Sequence, residues 1–384
     1  GSASGWRESD RIPLPSRNAC DVALADFSGR GGLDIVIAQS HTPESFTSEI
    51  LLYPTGGQAF DRLPDPIRLP SHDAYRILVV HTGKDQRPWL VVGNKRSGSL
   101  IGNPDNTIYV GGPDGFHADS RIELPGWGST DMVCCDFNDD GLPDLAFANA
   151  SELSPWLDPG AYLYYHAGSG YPGLPLALPT VRAHGVVCGD LNHNGYLDLI
   201  FGGFDNPVIK IFYGSANGFS EENSQEIVME YQGRKCKEPR FLALADLNGD
   251  GWLDLVIPMI SEEESFVLWG GPDGFSFDRK QVFKVRHACN AKVADLNNDG
   301  YPELIFGGHT QSFTAPHDAF VYIYWGSPEG FREERRTLLP CNAVNSMAVA
   351  DFNNDGLLDL FVGSYEDGRQ RDIDSYIYWN QPGE

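Results

Sequence analysis

Five stretches of the sequence place oxygen-bearing side chains at alternating positions and then skip to a last carboxylate. They are Asp136, Asn138, Asp140 and Asp144; Asp190, Asn192, Asn194 and Asp198; Asp246, Asn248, Asp250 and Asp254; Asp295, Asn297, Asp299 and Glu303; and Asp351, Asn353, Asp355 and Asp359. In each, a glycine follows the third of these residues and an apolar run follows the fourth. Calcium takes roughly six to eight oxygens, and a loop bent at glycine gathers them from the side chains at positions one, three, five and nine and the carbonyl of position seven. The spacing opens like a helix-flanked calcium loop, but that motif needs a later Glu and a following helix, whereas a strand-like run follows here. A single Asn-Gly or Asp-Gly is equally a hairpin turn; five copies in register favour calcium, about five ions, one per loop.

The loops recur because the whole chain is a repeat. A weaker copy, DFSGRGGLDIVIAQ, starts at Asp26, and a degenerate one, HTGKDQRPWLVVGN, starts at His81 and keeps only the apolar strand. First positions then step by 55, 55, 54, 56, 49 and 56 residues, which makes seven units. Downstream of the loops come IYVGGPDGF (108–116), IFYGSANGF (211–219), VLWGGPDGF (267–275) and IYWGSPEGF (323–331). Each unit reads as four short strands: one entering the Asp loop, one leaving it, an aromatic strand, and a polar outer strand. Four-stranded units at this period predict an all-β, seven-bladed β-propeller over residues 1–384, one domain. The last unit lacks its outer strand, while GWRESDRIPLP (5–15) matches GFREERRTLLP (330–340). The N-terminal segment is therefore expected to complete the last blade and leave no open edge at the seam.

These repeats resemble the FG-GAP/VCBS family, whose seven-bladed propellers include the head domain of integrin alpha chains and some fungal and bacterial lectins. The resemblance covers essentially the whole chain. It implies calcium in the units starting at Asp136, Asp190, Asp246, Asp295 and Asp351. It does not extend cleanly to the first two units, where Arg30 or His81 stands at a ligand position.

Composition agrees. Lys and Arg number 28 against 53 Asp and Glu, a net charge of −25, and 14 of the carboxylates sit at positions one, five and nine of the five loops. Bound calcium relieves that repulsion, and the acidity argues against nucleic acid, which needs a basic footprint. No stretch is apolar enough to span a membrane. The N-terminal GSAS reads as a processed start or an expression scar. Loops of this kind fill best at extracellular calcium levels, which favours a secreted, periplasmic or cell-surface protein, expected to be a monomer. The seven cysteines read as small buried hydrophobes rather than a disulfide framework.

A ligand site must lie on the face opposite the Asp loops, where the second-to-third-strand loops and the blade-to-blade links meet. Those loops are long in units one, two, three, six and seven and short in four and five, which predicts walls with a low side. In the links, five to nine residues before each loop, five of seven hold an Arg and three hold a His. Candidate ligand-binding residues are Arg17, Arg76, Trp127, Arg182, Arg240, Arg286 and Asn345, with Trp156 at the rim; candidate proton-transfer groups are His72, Tyr75, His184 and His287. A cationic, aromatic mouth suits a sugar bearing carboxylate or sulfate.

Two readings follow. In the first, the protein is a polysaccharide lyase: Arg or Asn neutralises a uronate, and a neutral His or Tyr removes the acidified C–H proton. Lyases of anionic glycans on propeller folds favour this by analogy. In the second, the same face is a lectin or adhesion surface without chemistry. No nucleophile, phosphate-loop or catalytic-metal motif separates them. A purely structural module for protein partners fits less well a chain that is propeller from end to end.

Overall fold

The structure, a computed structural model, describes residues 11–42, 45–57, 64–82, 87–96, 104–112, 115–150, 157–310, 318–370 and 373–381. Short runs of Val, Ile, Leu, Phe and Tyr, punctuated by Asx-Gly turns, pair with their sequence neighbours, the first strand excepted, and seven four-stranded antiparallel sheets result. Blade four shows the pattern: Ala183–Gly189, Asp198–Gly203, Val208–Phe212 and Ser224–Val228, from the axis outward. The innermost strands of consecutive blades touch all the way round, that of blade seven (Val344–Ala350) meeting that of blade one (Ala19–Ala25). The seam is closed by Arg11–Leu14, which pairs antiparallel with Ser375–Tyr378 and becomes the outer strand of blade seven.

The second strand of each blade buries both faces, because each blade is sandwiched between two others, while outer strands such as Ile67–His72 alternate between exposed and buried. Seven apolar clusters result, each joining two neighbouring blades; Phe137, Leu163 and Leu178 of blade three, for example, pack on Leu199, Phe201 and Phe212 of blade four. An eighth cluster is different. Cys20, Tyr75, Phe241, Ile260 and Cys289 come from blades one, two, five and six, and residues of non-adjacent blades can meet only at the centre of the ring.

Two departures from the repeat matter for the site. Between blades four and five the chain inserts a hairpin, Glu230–Tyr231 paired with Arg234–Lys235, turned by Gln232 and Gly233, both at positive φ. Blade five then begins late, with an inner strand of only three residues, Ala243–Ala245.

The cysteine expectation needs one correction: Cys135 and Cys188 form a disulfide. Cys135 stands one residue before its Asp loop and faces the next blade, while Cys188 stands two before its own and faces back; both lie in the blade three–four cluster. Cys20, Cys236, Cys289 and Cys341 are free and buried, as small hydrophobes should be, and Cys134 is free and half-buried.

Candidate functional site

The Asp loops form one face. In the loop starting at Asp136, one carboxylate oxygen accepts the Asp140 N–H at 3.0 Å and the other the Gly141 N–H at 2.7 Å, while Asn138 Oδ1 also accepts the Asp140 N–H at 3.2 Å. A single N–H shared by the oxygens of positions one and three shows that the two converge. The loops at Asp190, Asp246, Asp295 and Asp351 repeat the arrangement.

Position nine opens the second strand and is fully buried in each of the five loops. In Asp254 one oxygen accepts the Leu247 N–H at 2.9 Å and the other the Gly270 N–H at 2.8 Å, which staples the loop to the third strand. Burial first, and then repulsion from positions one and five, push this carboxyl up to about 6 in Asp254 and to about 7 in Glu303 and Asp359.

The Asp26 unit separates the structural part of the motif from the rest. Asp26 accepts the N–H groups of positions five and six as in the other loops, although Arg30 occupies position five, and Asp34 still ties the loop to the third strand through Gly56 while taking the Ser28 N–H, one place later than in the intact loops. Positions one and nine therefore shape the loop in either case, and the oxygens at three and five are what a cation would add. Among the described residues no group of three His, Cys, Asp or Glu side chains converges as a metal cluster. A calcium site here draws on the Asn at position three and the carbonyl at position seven as well, and those donor types suit calcium.

The opposite face is built by the links. The residue eight places before each loop's first position is left-handed in all seven blades: Asn18, Asp73, Gly128, Arg182, Glu238, His287 and Ala343, with φ from 38° to 67°. In six of them its carbonyl accepts an N–H from the residue just beyond the second strand, as Arg182 does from Phe204 at 2.8 Å. Two residues on, the inner strand of every blade but the fifth carries a β-bulge, whose extra residues are Cys20, Tyr75, Thr130, His184, Cys289 and Asn345.

These devices decide where the predicted residues go. Arg76 does not line an open mouth. Buried at the axis, it donates to the carbonyls of Cys20 at 2.8 Å and Asn345 at 3.4 Å, and its Nε lies 3.6 Å from Asp131 Oδ1. Asn345 is likewise buried, donating to the Cys20 carbonyl at 3.5 Å. Tyr75 belongs to the axial cluster, under the Lys95 ammonium 4.1 Å from its ring centre.

His184 is fully buried, its Nε2 3.2 Å from an Arg240 guanidinium nitrogen and its ring against Phe204, Phe241 and Tyr75. Arg182 and Arg240 both lie over the Phe204 ring, with guanidinium carbons 4.4 and 5.6 Å from its centre. Their acids are Asp205, 3.9 Å from Arg182, and Glu238, 3.3 Å from Arg240. His287 donates from Nδ1 to the Ile260 carbonyl at 2.9 Å, beside the exposed pair Arg286–Glu263 at 2.7 Å.

Arg17, His72 and Trp127 are not drawn into this group. Arg17 and His72 are exposed in and beside the links of blades one and two, Trp127 is half-buried in the link of blade three, and Trp156 lies outside the described residues, as do the tips of the long loops. Phe204, Phe241, Lys95 and His41 join the face without having been expected there. Link alignment misses Phe204, Lys95 and His41 because they sit in second-to-third-strand loops, whereas Phe241 lies within the aligned link and is passed over because it carries neither charge nor a titratable group.

Comparison with known proteins agrees with the fold. The FG-GAP-like repeat profile matches residues 136–201, 190–257, 246–306 and 295–362 in overlapping succession, more than half of the chain. Integrin alpha-7 of Homo sapiens is 26% identical over 291 residues, covering 67% of this chain and 24% of its own length. Integrin alpha-6 of Gallus gallus is 28% identical over 162 residues, 38% of this chain and 14% of its own length. The chain thus spans less than a quarter of the length of these relatives. The crystal structure of BBS1N in complex with ARL6DN, soaked with lead, superposes with a TM-score of 0.61 at 13% identity over 100% of this chain and 99% of that one, which is a likeness of fold.

Proposed function

The chain belongs to the FG-GAP-like repeat family, and from that premise we propose that it is a calcium-stabilised binding propeller of the cell surface or exterior, whose link face takes an anionic, uronate-bearing polysaccharide. The observation that carries the reading is the gathering of cations on that face. Lys95, Arg96, Arg182, Lys237, Arg240 and Arg286 all lie in links or second-to-third-strand loops of a chain with net charge −25. Arg182 and Arg240, whose guanidinium carbons lie 4.4 and 5.6 Å from the Phe204 ring centre, carry the planar fork that suits carboxylate, and a uronate would compete for them with Asp205 and Glu238. The likeness to integrin alpha chains supports a surface location and a ligand-binding role.

The Asp loops serve a separate task. Positions one, three, five and nine of the five intact loops, with the carbonyl of position seven, would hold calcium and tie each loop to its blade; the metal's contribution is to cancel carboxylate repulsion.

The test is binding of immobilised protein to polygalacturonate, alginate, hyaluronan and a neutral glucan in calcium buffer. Acidic polymers are expected to bind, more weakly as salt rises, and Arg182→Ala or Arg240→Ala is expected to lose about tenfold each, about 1.4 kcal/mol. Binding to no acidic polymer, or equal binding by both variants, overturns the proposal.

A further inference from the structure

We propose that His41, positioned by Asp73, is a general base on the link face, and that the bound uronate polymer is cleaved there by β-elimination. The inference rests on the binding reading above and adds chemistry to it. His41 lies in the second-to-third-strand loop of blade one and Asp73 in the link that follows the same blade.

Asp73 is fully buried, and its Oδ1 lies 2.9 Å from His41 Nδ1, accepts the His41 backbone N–H at 3.0 Å, and accepts the Ser40 hydroxyl. Burial opposes its ionisation, but these hydrogen bonds and the nearby Lys95 hold the carboxyl below its ordinary value. An ionised carboxylate on Nδ1 fixes the imidazole with its proton on that nitrogen and leaves Nε2 as the basic one. Ser40 is not a nucleophile in this arrangement, because its hydroxyl meets the same carboxylate oxygen and the same ring nitrogen, 3.1 Å away, rather than the far side of the ring.

The pair is braced on every side. Asp73 donates its N–H to the Phe46 carbonyl at 2.9 Å and accepts the Lys95 N–H at 3.1 Å, and the Phe46 ring stacks on His41 with centroids 5.0 Å apart. The same bracing brings cations to the base: Arg96 Nε is 3.9 Å from Asp73 Oδ2, and Lys95 follows the strand end that Asp73 holds. The His41 side chain keeps 12% of its surface exposed, whereas His184 is fully buried.

A uronate carboxylate against Lys95 and Arg96 has its negative charge neutralised, which acidifies the neighbouring C5–H. His41 Nε2 takes that proton; the C–H electron pair becomes the C4=C5 double bond, and the C4–O bond breaks. The leaving oxygen is protonated by water, and His41 returns its proton to solvent. No oxidant, reductant or second substrate is needed.

The experiment follows the ultraviolet absorbance of the conjugated unsaturated uronate while the calcium-loaded protein is incubated with the same polymers, alongside the binding assay. Absorbance should rise with at least one acidic polymer. His41→Gln should lower it by about a hundredfold or more while binding persists. Asp73→Asn, which keeps an acceptor oxygen for the Ser40 and backbone donors but lacks the charge that holds the proton on Nδ1, should lower kcat while KM and polymer binding stay unchanged, a split that loss of the loop's shape would not produce. Binding without a rise in absorbance overturns the base and leaves the binding reading standing; activity unchanged in His41→Gln overturns the assignment; binding to no polymer overturns both.

Discussion

The guanidinium carbon of Arg76 lies 3.4 Å from the centre of the Phe241 ring, so a side chain of blade two stacks on one of blade five across the axis of the propeller. The same guanidinium bonds the carbonyls of blades one and seven and faces Asp131 of blade three. One cation therefore touches five of the seven blades at the point where seven sheets would otherwise leave a gap. Phe241 reaches that point because blade five starts its inner strand late, freeing the preceding link to turn inward; its N–H is held by the Cys289 carbonyl at 3.2 Å.

Replacing Arg76 should thus act on the ring rather than on ligand affinity alone. Arg76→Met keeps the apolar stem but leaves Asp131 and two carbonyls without their cation, and should cost about 3 kcal/mol. Denaturant unfolding in calcium buffer measures it; a loss of binding with unchanged stability would return Arg76 to the role of a ligand clamp.

Asp131 gives the axis a pH dependence of defined sign. Burial pushes its carboxyl up to about 6, with Arg76 pulling the other way. A group raised in the folded state favours the protonated fold, so its cost is absent below the unfolded value and complete above about 6. Relative to Asp131→Asn, the wild type should lose stability as pH rises from about 4 to about 6, by at most about 3 kcal/mol. Parallel stability curves for the two proteins would contradict this.

Calcium removal should lower the melting temperature, because an ion that binds only the folded loops stabilises by about 2.7 kcal/mol per site at a hundredfold excess over Kd. Isothermal titration of the apo protein should find about five sites, falling by one in Asp250→Ala. In the Asp26 unit, substitution of Asp26 should destabilise without changing the stoichiometry, since that loop keeps its backbone hydrogen bonds with Arg30 at position five.

The Cys135–Cys188 bond links the inner strands of blades three and four across a sequence separation of 53. Its reduction should cost about 3 kcal/mol, with Cys135→Ser already at the reduced level and insensitive to dithiol. Thiol titration of the unfolded protein should find five free cysteines; seven would show that the bond does not form.

Gly185 tests the packing of the low side of the link face. A Cβ there would stand 2.3 Å from the Arg240 carbonyl oxygen, so Gly185→Ala must push blade five's link away from blade four. Backbone cannot yield as a side-chain tip can, and a loss of about 2 kcal/mol is expected. A small shift would mean that the link of blade five moves freely.

The sequence by itself determined the ring. A repeat of roughly constant length, each with its Asx-Gly loop, alternating apolar strands and aromatic third strand, admits pairing only between chain neighbours, and the match between residues 5–15 and 330–340 named the closing strand. It could also have given the disulfide: residues one and two places before the loop point to opposite faces, so Cys135 faces forward and Cys188 backward across one interface.

What only the tertiary structure decided is which polar residues of the links stay on the surface. The period-two reading of a strand fails at a bulge, which adds a residue and turns Tyr75 and Asn345 toward the axis while His184 is buried against Phe204 and Arg240. The left-handed turn just before it is equally invisible, since it is imposed on Arg182, Glu238 and His287 by the reversal of the chain rather than by their own preferences. His41 and Asp73 stand 32 residues apart and meet only because a blade's second-to-third-strand loop and the link leaving that blade share one face. Local pattern fixes which strands pair; burial at the axis and contact between loops distant in sequence are set by the closure of the ring.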